Sequence, residues 1–300
     1  MFRIILLLFF SFTYIKNFTQ IQKDTTFTIN SEYKKNIKKY PFIKVPNIIN
    51  SGSVKQTSNI TYKKIKDRTL KLDAYINITK KTKPALIIIH GGGWKSGNKE
   101  MQKSMALEIS NLGYQVFTIE YRLSDEAKYP AGINDLESAL KFIIKNASKF
   151  EVNPSKIAIL GCSSGAQMAT LVGEKHPKKI KAIINIDGIL AFHHPESQEG
   201  KYAELWLGGS YSQNPKIWND ASPLYHISKN SPPILFINSQ FDRFHAGRDD
   251  MIAKLNTFGI YSEIKKIENS PHTFWLFEPW FQPTIKYTTD FLNQTLNKNN

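Results

Sequence analysis

From Pro84 onward the chain repeats one pattern: a short apolar run, a segment long enough for a helix, then another apolar run. "ALIIIH", "YQVFTIEYRL", "KIAILG", "KAIINID" and "PPILFINS" are the apolar members of the series. A strand that is apolar at nearly every position has both faces covered. Alternation with helices supplies the cover, by laying helices on either side of a mostly parallel sheet. Upstream, "NITYKKI" and "TLKLDAYINI" alternate polar and apolar residues, as half-buried strands do. Residues 100–112 are amphipathic, and "NDLESALKFIIKNASKF" has helical spacing with Asn134 or Asp135 placed as an N-terminal cap. The rhythm breaks at 191–231, which is rich in His, Pro, Trp, Tyr and Gly and reads as an irregular cap insertion over the strand ends. The expected fold class is α/β, with one domain over residues 54–298.

The first residues, "MFRIILLLFFSFTYI", place one Arg before a mostly apolar run that is shorter than the ~20 residues a membrane-spanning helix needs. Residues 1–19 therefore read as a signal peptide and the protein as secreted or periplasmic. No small-x-small triplet follows, so an uncleaved anchor is the alternative, and membrane contact is expected only in that case. Residues 20–53, polar and basic with scattered prolines, read as a linker or a loosely attached extension. The single cysteine, Cys162, excludes an internal disulfide framework and a multi-cysteine metal site. The net charge of +15 comes from lysines that form no stripe and accompany no nucleic-acid motif, so nucleic acid is not an expected partner.

Between "KIAIL" and the helix-compatible "AQMATLVGEK" lies Gly-Cys-Ser-Ser-Gly. A nucleophile on a tight strand-to-helix turn requires small residues two before and two after it, or their side chains strike the neighbouring strand and helix. Only Ser163 has glycine at both places, Gly161 and Gly165; Ser164 has Cys162 and Ala166. Cys162 reads as a small packing residue. About 70 residues upstream, an apolar strand ends in His90, followed by Gly91, Gly92, Gly93 and Trp94. Such a turn can aim backbone N–H groups at a developing oxyanion. A serine also needs a base, usually a histidine oriented by a carboxylate. Asp242 and His272 each fall in a loop just past an apolar or strand-like stretch, where a sheet of this kind gathers its ligands. Asp187, after the preceding strand, is the rival acid. His245 reads as a local packing or exposed residue, Asp249 and Asp250 as solvated helix positions, and His193 and His194 as surface or lid residues. No carboxylate–histidine spacing suggests a metal. In the aromatic stretch "HTFWLFEPWF", Trp275 is a candidate for substrate stacking or for core packing, and so is Trp94.

The set HGGGW, GCSSG, an Asp past a strand and a His before the last helix resembles the α/β-hydrolase superfamily. Within it the chain is similar to the hormone-sensitive-lipase-like esterases, and "HGGGWKSGNKEMQ", "GCSSGAQMA" and "SPHTFWLFEPWF" look most like bacterial carbohydrate esterases of the acetylxylan and feruloyl-esterase-like branch. The resemblance covers residues 60–298 and implies a serine hydrolase. Ser163 would attack the ester, His272 would serve as base and Asp242 would orient it. The N–H groups of Gly91, Gly92 and Ser164 would form the oxyanion hole, and His90 would shape its loop. No metal or other cofactor is implied. Many relatives carry Ser-Ala-Gly-Gly where this chain has Ser-Ser-Gly-Ala, and Gly-Asp or Asp-Asp where it has "SQFDR". The implied substrate is an acylated glycan, with a small-molecule carboxylesterase, an arylformamidase and a silent binding protein on the same fold as alternatives.

Overall fold

The computed structural model describes residues 26–78 and 82–296; the signal-peptide reading of 1–19 lies outside them. The chain opens with α1 (Ile29–Asn36), then β1 (Val54–Ile65), β2 (Arg68–Asn77) and β3 (Lys83–Ile89). There follow α2 (Lys103–Asn111), β4 (Gln115–Ile119), α3 (Ala131–Lys145), β5 (Val152–Cys162), α4 (Ser164–Lys175) and β6 (Ile180–Ile186). The insertion holds α5 (Gly200–Leu207) and α6 (Pro215–Ala221). The last elements are β7 (Ile234–Asn238), α7 (Arg248–Thr257), β8 (Ser262–Lys266) and α8 (Phe281–Leu296).

The strands described form one sheet in the order β1-β2-β4-β3-β5-β6-β7-β8. Only the β1–β2 and β2–β4 pairings are antiparallel; β4, β3, β5, β6, β7 and β8 run parallel. The period-2 geometry of a strand sorts each apolar run into two cores. On β3, Ala85, Ile87 and Ile89 join the core with Ile133 and Leu136 of α3, Met168 of α4 and Met251 of α7. Leu86 and Ile88 join the opposite core with Met105 of α2 and Phe281, Ile285 and Phe291 of α8. Helices therefore cover both faces, as the apolar runs require.

Two local expectations fail, each for a physical reason. Asp135 does not cap α3. The helix starts earlier, at Ala131 behind Pro130, and Asp135 lies buried inside its first turns, where Lys63 (2.7 Å) and Arg122 (2.8 Å) neutralise it. Nor is the segment before residue 54 loosely attached where it is described. A Thr28–Ser31 capping box starts α1, Tyr40 and Ile43 are buried, and Lys44 pairs its backbone with Glu278. Tyr33 and Ile37 lie partly buried against the α2–α8 core, so the apolar residues between the lysines hold this segment on the sheet. The 191–231 insertion is more regular than its composition implies, because Trp206 of α5 and Trp218 of α6 are buried and order it.

Candidate active site

Ser163 sits between β5 and α4 with φ 54° and ψ −126°, a left-handed conformation rare for a residue with a side chain. Its neighbours show why the turn needs glycines. A Cβ on Gly161 would lie 2.0 Å from the carbonyl oxygen of Gly165, and one on Gly165 would lie 2.4 Å from the carbonyl oxygens of Ile89 and His90. The Ser163 N–H donates to the Ile186 carbonyl (2.8 Å), which ties the turn to β6. Cys162 is fully buried and burial pushes its thiol well above the ordinary range, with Asp187 adding to the rise. It stays a neutral packing group.

His272 follows β8, and its Nε2 lies 2.9 Å from Ser163 Oγ. Its Nδ1 lies 2.9 Å from Oδ2 of Asp187, not of Asp242. The acid is thus carried by the loop after β6, and the expectation for Asp242 is corrected. The side chain of Asp242 is 86% exposed, with the His245 ring 3.7 Å away. Asp187 is buried, its backbone held at φ 50°, and its other oxygen accepts from the Ser239 N–H at 2.8 Å. The tight turn at Asp187 aims the carboxylate back across the ends of β6 and β7. Asp242, at the start of a 3-10 turn (Asp242–His245), is aimed at solvent instead. An ionised carboxylate only accepts hydrogen bonds, so it selects the His272 tautomer with hydrogen on Nδ1 and leaves Nε2 free to accept from the serine.

The glycine turn is brought against the nucleophile. A Cβ on Gly91 would stand 3.0 Å from Ser163 Cβ, and Gly92 has φ 129° with its carbonyl accepting from Lys95 and Ser96. Ser164 is the first residue of α4, where backbone N–H groups have no partner within the helix. His90 is buried under the turn, stacked on Tyr121, with Nδ1 2.8 Å from the Gly91 carbonyl oxygen; it packs rather than faces Ser163.

Neither tryptophan offers a substrate platform. Trp94 is buried, stacked on Trp206 at 5.3 Å, and its indole N–H donates to Gln167. Trp275 is also buried, and its ring meets His272 edge-on at 5.3 Å, so it supports the base from within. The insertion and the loop after β7 supply groups that sequence reasoning did not single out. Phe244 stacks on His272 with centroids 3.4 Å apart, and Arg243 lies over Phe244. Tyr202, 59% exposed, packs beside Gly93. Glu199 is half-buried; burial raises its carboxyl above the ordinary range, and Arg243 and His272 offset only part of the rise. No sequence signal marked these residues, because Phe244 and Tyr202 lie far along the chain from the His272 and Gly93 they meet, and Arg243 gains its place only through Phe244. His193 stacks on Tyr211, His194 pairs with Asp250, and among the described residues no His/Cys/Asp/Glu cluster could hold a metal.

A family model, BD-FAE, matches residues 72–246, more than half of the chain, and its span includes Ser163, the glycine turn and Asp187. The chain belongs to the BD-FAE family. It is 26% identical over 192 residues to Esterase LipC of Mycobacterium tuberculosis (strain ATCC 25618 / H37Rv), a match covering 57% of this chain and 48% of LipC. The chain spans about half the length of the curated relatives it matches. Among solved structures, a truncated carbohydrate esterase from gut microbiota superposes with TM-score 0.69 at 20% identity, over 83% of this chain and all of that one. A bifunctional GH43-CE protein of Bacteroides eggerthii superposes with TM-score 0.67 at 23% identity, over 80% of this chain and 38% of that one. At these identities the likeness concerns the α/β-hydrolase fold that the BD-FAE chain shares with them.

Proposed function

We propose that this BD-FAE chain is an exported serine esterase that removes acyl groups, chiefly acetyl, from polysaccharides or their oligosaccharides. The observation that carries the esterase reading is the pair of 2.9 Å contacts linking Ser163, His272 and Asp187 beside a glycine turn. The Ser163 hydroxyl attacks the ester carbonyl while its proton passes to His272 Nε2, and the imidazolium so formed lies against the buried Asp187 carboxylate. Backbone N–H groups of Gly91, Gly92 and Ser164 receive the oxyanion. His272 then protonates the leaving alkoxide, which departs as the alcohol and leaves an acyl-serine. Water, losing a proton to the same nitrogen, cleaves the acyl-serine and restores the hydroxyl.

The glycan reading is supported by the family, whose members are bifunctional acetylxylan/feruloyl esterases. Tyr202 adds to it, as an exposed ring beside Gly93 on which the apolar face of a sugar can rest. Export rests on the apolar run at the start of the sequence. Acetate and ferulate release from acetylated xylans, pectins and algal glycans tests the substrate class, with acetate expected from at least one glycan. Replacing Ser163 by Ala is expected to lower p-nitrophenyl acetate turnover by at least about 10⁴-fold, and equal rates would remove the esterase reading. Turnover of the aryl ester without release from any glycan would assign a small-molecule carboxylesterase instead.

A further inference from the structure

The phenyl ring of Phe244 lies 3.4 Å from the His272 ring and 12° from parallel to it, so one of its faces is occupied by the base. The Arg243 guanidinium stands 4.2 Å from the centroid of the same phenyl. With the imidazole filling one face, the guanidinium takes the other, and cation–π attraction holds the charge near a fixed place on an otherwise exposed side chain. Among the described residues Arg243 forms no ion pair, and the carboxylate of the adjacent Asp242 lies 3.7 Å from the His245 ring. Glu199, from the insertion, is in electrostatic reach of both Arg243 and His272.

The side of the site that Arg243 borders follows from the chemistry. His272 delivers a proton to the leaving alkoxide, so the alcohol part of the ester lies alongside the imidazole and whatever is stacked on it. The acyl carbonyl lies toward the glycine turn. We infer that Arg243 is a specificity residue that binds a carboxylate on the alcohol part of the ester, so that acylated glycans containing uronic acids are favoured over neutral ones. This rests on the esterase reading above. A guanidinium presents paired N–H donors that match a carboxylate, and the net charge of +15 draws polyanionic chains toward the protein.

The test compares kcat/KM for two matched pairs of substrates in wild type, Arg243→Ala and Arg243→Glu. The first pair is para-acetoxybenzoate and its neutral amide, which share the acetyl group and differ in one carboxylate. The second is a mono-acetylated methyl galacturonoside and the corresponding galactoside. The wild-type ratio of anionic to neutral substrate is expected to be about fivefold, the scale of an exposed ion pair. It should fall to about one in Arg243→Ala, invert in Arg243→Glu, and shrink toward one in wild type at high salt. A ratio that is the same in wild type and Arg243→Ala overturns the inference, as does a wild-type ratio of one, the result if Glu199 already neutralises the guanidinium. The aryl pair needs no sugar. If aryl acetates are cleaved and both sugar acetates are not, the glycan reading fails while the aryl ratio still decides the role of Arg243.

Discussion

Two aspartates compete for one histidine, and geometry separates them. Asp187 is buried with both oxygens engaged, one by His272 and one by the Ser239 amide. Converting it to Asn places an NH₂ group or a neutral carbonyl against Nδ1, favours the wrong tautomer and removes the charge that stabilises the imidazolium. Asp187→Asn is therefore expected to lower kcat on p-nitrophenyl acetate by about 10⁴-fold. Asp242→Asn alters an exposed side chain away from the base, and its kcat should stay within about twofold of wild type. Parallel kinetics on the two variants decide between the acids, and the reverse ranking would restore Asp242. Ser163 was legible because its constraint is local: glycines two residues away on either side are visible in any five-residue window. The acid was not, because each candidate follows an apolar strand and the choice depends on where its carboxylate points.

Among the elements, α1 has the least expected role. The hydroxyl of Thr273, directly after His272, donates to the buried carboxylate of Glu32 (3.2 Å) and accepts from Asn36 Nδ2 (3.4 Å). Tyr33 of the same helix packs against Phe277 at 6.2 Å. The helix thus braces the loop that carries the base. Replacing Glu32 with Ala leaves a buried hydroxyl short of a partner, at a cost of about 1–3 kcal/mol. The expected result is a lower unfolding midpoint in urea together with a lower kcat. A loss of stability with kcat unchanged would show that α1 holds the fold and not the base. The sheet strands were legible from their apolar runs. This helix was not, since its buried face is short and interrupted by lysines, and its partners come some 240 residues later.

At the scale of the whole molecule, stability is tied to pH through Glu174 of α4. The side chain is buried, its carboxyl accepts from the Ser231 hydroxyl, and burial pushes it up to about 7 from an ordinary 4.5. The folded protein therefore keeps a proton that the unfolded chain has already released between these two values. This contribution is fully present below pH 4.5 and is lost as pH rises through about 7. The loss is on the order of 3 kcal/mol. Denaturant unfolding at steps from pH 5 to 8 should show wild-type stability falling relative to Glu174→Gln, with the variant more stable at the upper end. Parallel curves for the two proteins would contradict the assignment.

The amino-acid sequence by itself determined the α/β class, the two covered faces of the sheet, the nucleophile turn and the glycine turn beside it. Each of these follows from side-chain size or apolar spacing among near neighbours, which a linear string records. Only the folded chain shows that His272 bonds to Asp187 and not to Asp242, that Trp94 and Trp275 are packing residues, that Phe244 stacks on His272 with Arg243 over it, and that Tyr202 lies beside Gly93. The base meets its serine across 109 residues and its acid across 85. Contacts at that separation depend on strand order and on the direction each loop takes as it leaves the sheet, and those are properties of the folded chain.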